Sequence, residues 1–189
     1  MNHAKPLAFA LVTALIYGVS PPAPTTAPTT APAAGVDEKL ASATCGKIAR
    51  VSRLADVYLA AQPSADDLAE AKKLGIKTVI NLRPESETKD FKEREAVEAA
   101  GLAYVHIPFV ADQVTDAVFD QAREQLKSAQ RPLLLHCGTA NRVGGVWLPY
   151  RVLDAGLSWD AALAEAKTIG LRNSVLEAKA KEYVERHKK

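Results

Sequence analysis

The fold of this chain is decided by Pro132-Leu133-Leu134-Leu135-His136-Cys137-Gly138-Thr139-Ala140-Asn141-Arg142-Val143-Gly144-Gly145. An apolar run of strand length leads into a loop that holds one Cys and one Arg. An apolar helical pattern begins directly after Arg142. A strand that passes through a short loop into a helix is the building unit of a parallel α/β sheet. The stretch therefore predicts that Cys137 lies at the N-terminal end of a helix.

This position has chemical consequences for Cys137. The N-terminal end of a helix carries unpaired backbone N–H groups and the positive end of the helix dipole. Such an end stabilises a thiolate at neutral pH and also binds an oxyanion. A Cys at the end of a strand is usually just a small apolar residue, but here His136, Gly138 and Arg142 accompany it. Together they indicate thiolate chemistry on a phosphate-like group.

The apolar periodicity on either side of this stretch alternates between strand and helix. Strands are predicted over 49–52, 57–60, 78–82, 103–107 and 132–136. Helices are predicted over 66–74, 91–100, 116–128, 142–154, 158–168 and 174–187. Ser64 and Gly75 are the expected caps of the first helix. This order predicts an α/β fold with a central, mainly parallel sheet flanked by helices.

Composition narrows the function classes. The chain has 189 residues, of which 48% are hydrophobic and 24% charged, with a net charge of +2. Basic and acidic residues alternate along segments such as 89–98, which is typical of a solvated helix face and not of a nucleic-acid-binding patch. No group of His, Cys and Asp in the sequence has metal-ligand spacing, and no glycine pattern indicates a nucleotide loop. We therefore expect no nucleic-acid partner, no metal and no cofactor.

The N-terminal segment has a different character. Residues 1–5 are basic, 7–19 are apolar, and 21–32 are rich in Pro, Thr and Ala. The apolar run is too short for a standard membrane span and is typical of a secretory signal. We expect residues 1–20 to be a signal peptide or N-terminal anchor that engages the membrane during export, 21–36 a linker, and 37–189 the domain. The expected location is periplasmic or extracellular; cleavage or retention of the segment as a tether, and the oligomeric state, stay open.

The order His136, Cys137, loop, Arg142, helix resembles the phosphate-binding loop of the cysteine-dependent protein phosphatases. In those enzymes five residues usually separate the Cys from the Arg, and Ser or Thr follows the Arg. Here four residues separate Cys137 from Arg142, and Val143 follows. A four-residue interval is also typical of the rhodanese-type sulfurtransferases, which carry a persulfide on the Cys. The loop alone leaves both activities open.

Three further segments resemble one protein family more specifically than the loop does. They are Tyr58 to Ser64 (YLAAQPS), Gly75 to Glu85 (GIKTVINLRPE) and Tyr104 to Pro108 (YVHIP). In this order they are similar to landmarks of the bacterial phosphatase-like domain of the beta-lactamase hydrolase-like proteins, a family related to dual-specificity and tyrosine phosphatases whose members share the shorter interval. The resemblance extends from about residue 48 to the C-terminus. It implies a cysteine-phosphatase-like fold and a phosphatase that acts through a phosphocysteine on a phosphorylated protein or a small phosphomonoester.

The site residues follow from this interpretation. Cys137 is the expected nucleophile, and Arg142 is expected to grip two phosphate oxygens. His136 is expected to support the loop, or else merely to end the strand. The backbone N–H groups of the loop are expected to bind the phosphate, and Thr139 and Asn141 are the candidates to replace the missing hydroxyl. The binding residues are Gly138, Thr139, Ala140, Asn141 and Val143.

The sequence offers two candidates for the residue that donates a proton to the leaving oxygen. Phosphatases of this kind usually take the proton for the leaving oxygen from an Asp on the loop after the preceding strand. Asp112 lies in that stretch. Asp116 competes with it but is more typical of a helix cap. A site without such an acid, in a weakly active oxyanion-binding module, is the third hypothesis.

Several other polar residues have two interpretations. Arg83 and Glu85 follow a predicted parallel strand, where sites of α/β proteins collect, so they line the pocket or form a surface pair. His106 is expected to be a satisfied core residue. A disulfide between Cys45 and Cys137 would consume the nucleophile, so we expect two free thiols, with a reversible redox link left open.

Overall fold

The computed structural model describes residues 1, 39–89 and 91–188. The strands are β1 (Ala41–Ser42), β2 (Val51–Leu54), β3 (Val57–Ala60), β4 (Thr78–Asn81), β5 (Ala103–His106) and β6 (Leu133–His136). The helices are α1 (Ala65–Lys73), α2 (Glu93–Ala99), α3 (Asp116–Ser128), α4 (Asn141–Leu153), α5 (Trp159–Ile169) and α6 (Ser174–His187). Two 3-10 turns cover Glu85–Glu87 and Ala111–Gln113.

The strands form one sheet in the order β1-β2-β3-β6-β4-β5. The four strands from β3 to β5 in this order are mutually parallel, whereas β1 and β2 add an antiparallel edge. β6 lies between parallel neighbours, with Leu135 beside Leu59 on one side and Ile80 on the other. The mainly parallel sheet flanked by helices confirms the predicted fold class.

Alternate residues of the central strand enter two separate cores. Leu133 and Leu135 belong to the larger hydrophobic cluster, which also contains buried residues of α3, α4, α5 and α6. Leu134 belongs to the smaller cluster, which contains buried residues of α1 and α2. A strand that is covered on both faces needs apolar side chains at every position. This explains the continuous apolar run before Cys137.

Local sequence signals set most of the element ends. Ser64 caps α1 through a reciprocal capping box with Asp67, and Gly75 follows the helix with a left-handed φ of 82°. α3 and α6 have the predicted bounds. The first strand was predicted over 49–52 but covers 51–54, and the two-residue β1 was not predicted. The polar loop residues before β2 carry no strand periodicity that could have indicated either.

Thr115 and Asp116 are the two residues that the sequence offers as the cap of α3, and the structure places Thr115 at that position. Thr115 occupies the N-cap position without a side-chain cap, and Asp116 is the first residue of the helix. The Asp116 carboxylate instead accepts a 2.7 Å hydrogen bond from Arg186 in α6. A carboxylate in the first turn still interacts favourably with the helix dipole, so the acid suits this position without capping it.

Two glycines bring α4 close to its neighbours. A Cβ on Gly144 would lie 2.6 Å from the carbonyl oxygen of Ala166 in α5, and one on Gly145 would lie 2.3 Å from Cδ2 of Leu176 in α6. Neither space can hold a methyl group without displacement. The glycines that surround Arg142 in the sequence therefore serve the packing of α4, and this packing fixes where the helix begins.

The predicted signal segment and linker, 1–20 and 21–36, lie outside the described residues apart from Met1. Among the helices of the described part, none combines the length and apolar character needed to cross a membrane.

Candidate active site

Cys137 directly follows β6 and is 1% exposed. Ala140 adopts a left-handed conformation with φ of 66°, and α4 begins at the next residue. Gly144 N donates the first helical hydrogen bond to Ala140 O. The N–H groups of residues 141–143 therefore belong to the unpaired first turn of α4. The structure thus places the thiol where the chain turns into a helix N-terminus.

Arg142 divides its hydrogen bonds between two parts of the chain. Its Nη1 and Nη2 donate to the two carboxylate oxygens of Glu87 at 2.9 and 2.6 Å, and Nη1 also donates to Phe109 O at 3.0 Å. Burial would lower the pKa of Arg142, but hydrogen bonds to Glu87 and the negative charge of a Cys137 thiolate raise it above its usual value. The guanidinium therefore stays charged at any working pH.

Glu87 also contacts a second arginine. Its Oε2 lies 3.3 Å from Arg83 Nε, and Arg83 Nη1 donates to Gln62 Oε1 at 2.5 Å. The hydrogen bond from Arg142 is the main reason why the pKa of Glu87 lies below its usual value. A Cβ on Gly138 would lie 3.9 Å from both Arg83 Nε and Arg142 Nη2. Both guanidiniums therefore approach the first residue of the loop.

A groove opens beside these charged residues. Its volume is about 530 Å³ and its lining includes Gln62, Pro63, Arg83, Glu87 and Phe91. Arg83 therefore lines a groove beside the site, but the lining of this groove does not include Cys137 or Arg142, so a role of Arg83 in the active-site pocket stays a prediction. The expected alternative pair of Arg83 with Glu85 does not form, because Glu87, four residues after Arg83, takes that place.

A buried carboxylate lies beside His136, behind the loop. Its Nε2 lies 2.7 Å from Glu93 Oε1, and both side chains are almost fully buried. Asn81 donates from Nδ2 to Glu93 Oε2 at 2.7 Å, and its Oδ1 accepts from Arg83 N at the same distance. Removing one partner of a buried pair leaves the other unsatisfied, so such a pair resists displacement. This arrangement fixes the residue that precedes Cys137.

The Asp112 side chain lies in the exposed turn Ala111–Gln113, between β5 and α3. Its Oδ1 accepts a 2.7 Å hydrogen bond from Asn173 Nδ2. The Oδ1 atom of Asn141 accepts from Arg172 N at 2.7 Å and Asn173 N at 3.1 Å. Thr139 is exposed. Arg172 and Asn173, which lie directly before α6, thus connect the loop after Cys137 with the turn that carries Asp112.

Cys45 and Cys137 are both free thiols. Burial, followed by the negative charges of Asp67 and Glu70, raises the pKa of Cys45 to about 11. His106 Nε2 lies 2.7 Å from Arg83 O, so this His has a polar partner as expected. Within residues 39–89 and 91–188, no three His, Cys, Asp or Glu side chains are grouped as metal ligands.

Comparison with known proteins places the whole arrangement in a family. The sequence model of the phosphatase-like domain of beta-lactamase hydrolase-like proteins matches residues 51–152. The chain belongs to this family. The resemblance inferred from the sequence is therefore confirmed, and the matched range of the phosphatase-like domain includes Cys137 and Arg142.

Relatives of this phosphatase-like domain carry two kinds of name. The beta-lactamase hydrolase-like protein of Xylella fastidiosa is 26% identical over 123 residues, which are 62% of this chain and 28% of that protein. The dual specificity protein phosphatase TpbA of Pseudomonas aeruginosa is 32% identical over 117 residues, which are 60% of this chain and 51% of TpbA. The chain thus spans about a quarter of the first relative and about half of the second.

A solved structure of P. aeruginosa TpbA in complex with pTyr shares the fold of this phosphatase-like domain. The TM-score is 0.58 at 28% sequence identity, and the match covers 71% of this chain and 82% of the TpbA chain. The cysteine-phosphatase-like architecture expected from the sequence is confirmed by this similarity.

Three residues of the site were not found from the sequence of the phosphatase-like domain. Glu87 lies four residues after Arg83, a spacing that could have indicated their pair. Asn173 stands directly before the pattern of α6 and could have been recognised as its N-cap. Glu93 gave no signal: the stretch 89–98 was interpreted as a solvated face, and the burial of Glu93 corrects this.

Proposed function

We propose that this chain is a cysteine-dependent phosphatase that hydrolyses phosphomonoesters, including phosphorylated tyrosine residues of proteins, through a phosphocysteine. The observation that carries the proposal is the position of Cys137 at the end of the central strand, with Arg142 beside it in the first turn of α4. The name of TpbA, a dual specificity protein phosphatase, and its complex with pTyr support the same reaction and substrate class.

In the first step the Cys137 thiolate attacks the phosphorus atom of the ester. The S–P bond forms while the bond from phosphorus to the leaving oxygen breaks. Asp112 donates its proton to that oxygen, so the product leaves as an alcohol or phenol. Arg142 and the N–H groups of the loop bind the remaining phosphate oxygens, where negative charge is held in the transition state.

In the second step water attacks the phosphorus atom of the phosphocysteine. The Asp112 carboxylate, left without its proton by the first step, accepts a proton from this water. The S–P bond then breaks, which releases orthophosphate and restores the thiolate. His136, whose Nε2 lies 2.7 Å from Glu93 Oε1, is expected to keep the strand end and the loop in place through both steps.

The donors of Arg142 are divided in a way that suits this role. A guanidinium has five N–H groups. Glu87 and Phe109 accept three of them, two from Nη1 and one from Nη2. Among the hydrogen bonds that Arg142 makes to Glu87 and Phe109 in the described part of the chain, none uses the N–H of Nε or the second N–H of Nη2, and these two point in the same direction as a fork. Arg142 can therefore bind two phosphate oxygens while Glu87 holds its other end.

The experiment that tests the proposed function uses p-nitrophenyl phosphate and a phosphotyrosine peptide. We expect hydrolysis of both by the wild type and none by Cys137→Ser, and rapid quenching should trap phosphate on Cys137. Incubation with thiosulfate and cyanide separates the sulfurtransferase alternative, because that enzyme would accumulate a persulfide on Cys137. Wild-type activity in Cys137→Ser would refute the proposal, as would phosphate binding without any turnover, the behaviour of a mere oxyanion-binding module.

We also propose that residues 1–20 direct export and that 21–36 link the domain to the membrane or leader. The basic, apolar and Pro-rich order of these residues supports this. Fractionation of cells that express the full chain, with N-terminal sequencing of the product, tests it. Protein found only in the cytosol with Met1 intact would contradict the proposal.

A further inference from the structure

Asn173 uses the two ends of its side-chain amide for different purposes. Oδ1 accepts a 2.8 Å hydrogen bond from Leu176 N and so caps α6. Nδ2 donates to Asp112 Oδ1 at 2.7 Å. A cap needs only an oxygen, and Ser or Asp would provide one equally well. The amide nitrogen therefore provides something that capping does not require.

We propose that Asn173 is a positioning residue, which holds the Asp112 carboxyl group in place for proton transfer to the leaving oxygen. This inference rests on the proposed function. It adds a residue that is distant from Asp112 in the sequence, because α3, α4 and α5 lie between the two along the chain.

The need for such a residue follows from the surroundings of Asp112. Phe109 and Val114 anchor the ends of the loop in the core, and Phe109 O accepts from Arg142. Between these anchors, Asp112 is exposed on a turn of three residues. Within the described part of the chain, the hydrogen bond from Asn173 is the one that the Asp112 side chain makes. Without it, the carboxyl group would rotate freely in solvent.

The contact fits both protonation states that the reaction requires. An amide N–H is a donor only, and Oδ1 of Asp112 can accept it whether the proton on Oδ2 is present or absent. Asn173 therefore holds the carboxylic acid that donates in the first step and the carboxylate that accepts in the second. A fixed donor raises the fraction of encounters with correct geometry, which is the usual benefit of orientation.

The same turn is attached to the phosphate loop. Asn141, directly before Arg142, accepts hydrogen bonds from the backbone N–H groups of Arg172 and Asn173. One short segment, Arg172 and Asn173, therefore contacts both the proton donor Asp112 and the residue next to Arg142. A shift of that segment would move Asp112 relative to the bound phosphate.

The decisive variant is Asn173→Ser, which keeps a capping oxygen but loses the amide nitrogen. We expect kcat/KM for phenyl phosphate, whose leaving group needs a proton, to fall about tenfold or more. For p-nitrophenyl phosphate, which leaves with little help, we expect a loss of less than about threefold. The alkaline limb of the pH profile should flatten for phenyl phosphate as well.

Four further proteins complete the experiment. Asp112→Asn should show the same dependence on the leaving group, more strongly, and Asn173→Ser should add nothing in that background, because the two act as one unit. Asp116→Asn loses only the exposed pair with Arg186 and should leave the ratio of the two substrates unchanged. Ser158→Ala removes the cap of α5, so it controls for destabilisation without a change at Asp112.

Each other outcome is decisive. An equal loss of activity on both substrates in Asn173→Ser, or an additive loss in the double variant, would show that Asn173 supports only the fold, and would overturn the proposal. If Asp112→Asn shows no leaving-group dependence, the acid is another group and the inference about Asn173 falls with it. Wild-type activity in Cys137→Ser would instead refute the proposed function itself, so the two failures are distinguishable.

Discussion

At the scale of single residues, Arg142 shows most clearly why charge alone is not enough. Arg142→Lys keeps one positive charge but cannot contact Glu87 and two phosphate oxygens together. We expect kcat/KM for an aryl phosphate to fall by about two to four powers of ten, or about 3 to 5 kcal/mol of transition-state stabilisation. Arg151→Lys is a matched control, because Arg151 forks onto Glu165 at a similar exposure, away from the loop. Activity of Arg142→Lys within about threefold of wild type would show that Arg142 does not bind two phosphate oxygens in the transition state.

The two cysteines should differ in reactivity. The pKa of Cys45 is raised to about 11, so this thiol stays protonated, and unreactive, until the pH approaches that value. Cys137 lies at a helix N-terminus beside Arg142, and the attack on phosphorus proposed for it requires the thiolate form. We expect iodoacetamide at pH 7 to label Cys137 and not Cys45, as read by peptide mass mapping. Orthophosphate should slow this labelling, and Cys45→Ser should leave its rate unchanged; prior labelling of Cys45 would contradict the assignment.

The site could be predicted from the sequence only in part at this scale. Cys137 and Arg142 lie in one short loop, so their proximity follows from the chain itself. Glu93 and Asn173 reach the site from α2 and from the start of α6. A single sequence does not show which turns of distant helices come into contact, so these two residues could not be assigned to the site from it. The role of Asp112 is a prediction that Asp112→Asn tests, and the roles of His136 and the loop N–H groups stay predictions.

At the scale of elements, the packing of α4 depends on Gly144. Gly144→Ala would place a methyl group 2.6 Å from the carbonyl oxygen of Ala166, a backbone atom that cannot rotate away. We expect a loss of about 1 to 3 kcal/mol in the free energy of unfolding, measured by urea denaturation. Gly138→Ala provides the contrast, because its Cβ would meet nothing closer than 3.9 Å. Equal stability of the two variants would show that α4 can shift at no cost.

The order of elements was largely predictable, whereas their ends were less so. Continuous apolar runs identify strands such as β6 because a parallel strand with two covered faces has few polar positions. The sequence leaves the cap of α3 open between Thr115 and Asp116, because both are acceptable at a helix start; Thr115 holds the N-cap position, and Asp116 pairs with Arg186 in a distant helix. Local propensity cannot choose between two neighbouring residues that are both suitable as an N-cap.

At the scale of the whole molecule, an oxyanion that fills the loop should stabilise the fold. It would bind the native state through Arg142 and the first turn of α4 but has no site in the unfolded chain. At a concentration about 100 times its dissociation constant, orthophosphate or vanadate should add about 2.7 kcal/mol, which raises Tm by several degrees. Arg142→Ala should lose most of this shift. A shift of the same size in that variant would place the anion elsewhere.

The central position of β6 determines which parts of the molecule open first. β6 is hydrogen bonded to parallel strands on both sides, whereas Asp112 lies on an exposed turn between β5 and α3. Amides of β6 should therefore exchange with deuterium only when the whole domain opens, and those of the turn much earlier. A locally opened molecule keeps its nucleophile but loses its acid. In mild denaturant, we expect hydrolysis of phenyl phosphate to disappear before that of p-nitrophenyl phosphate.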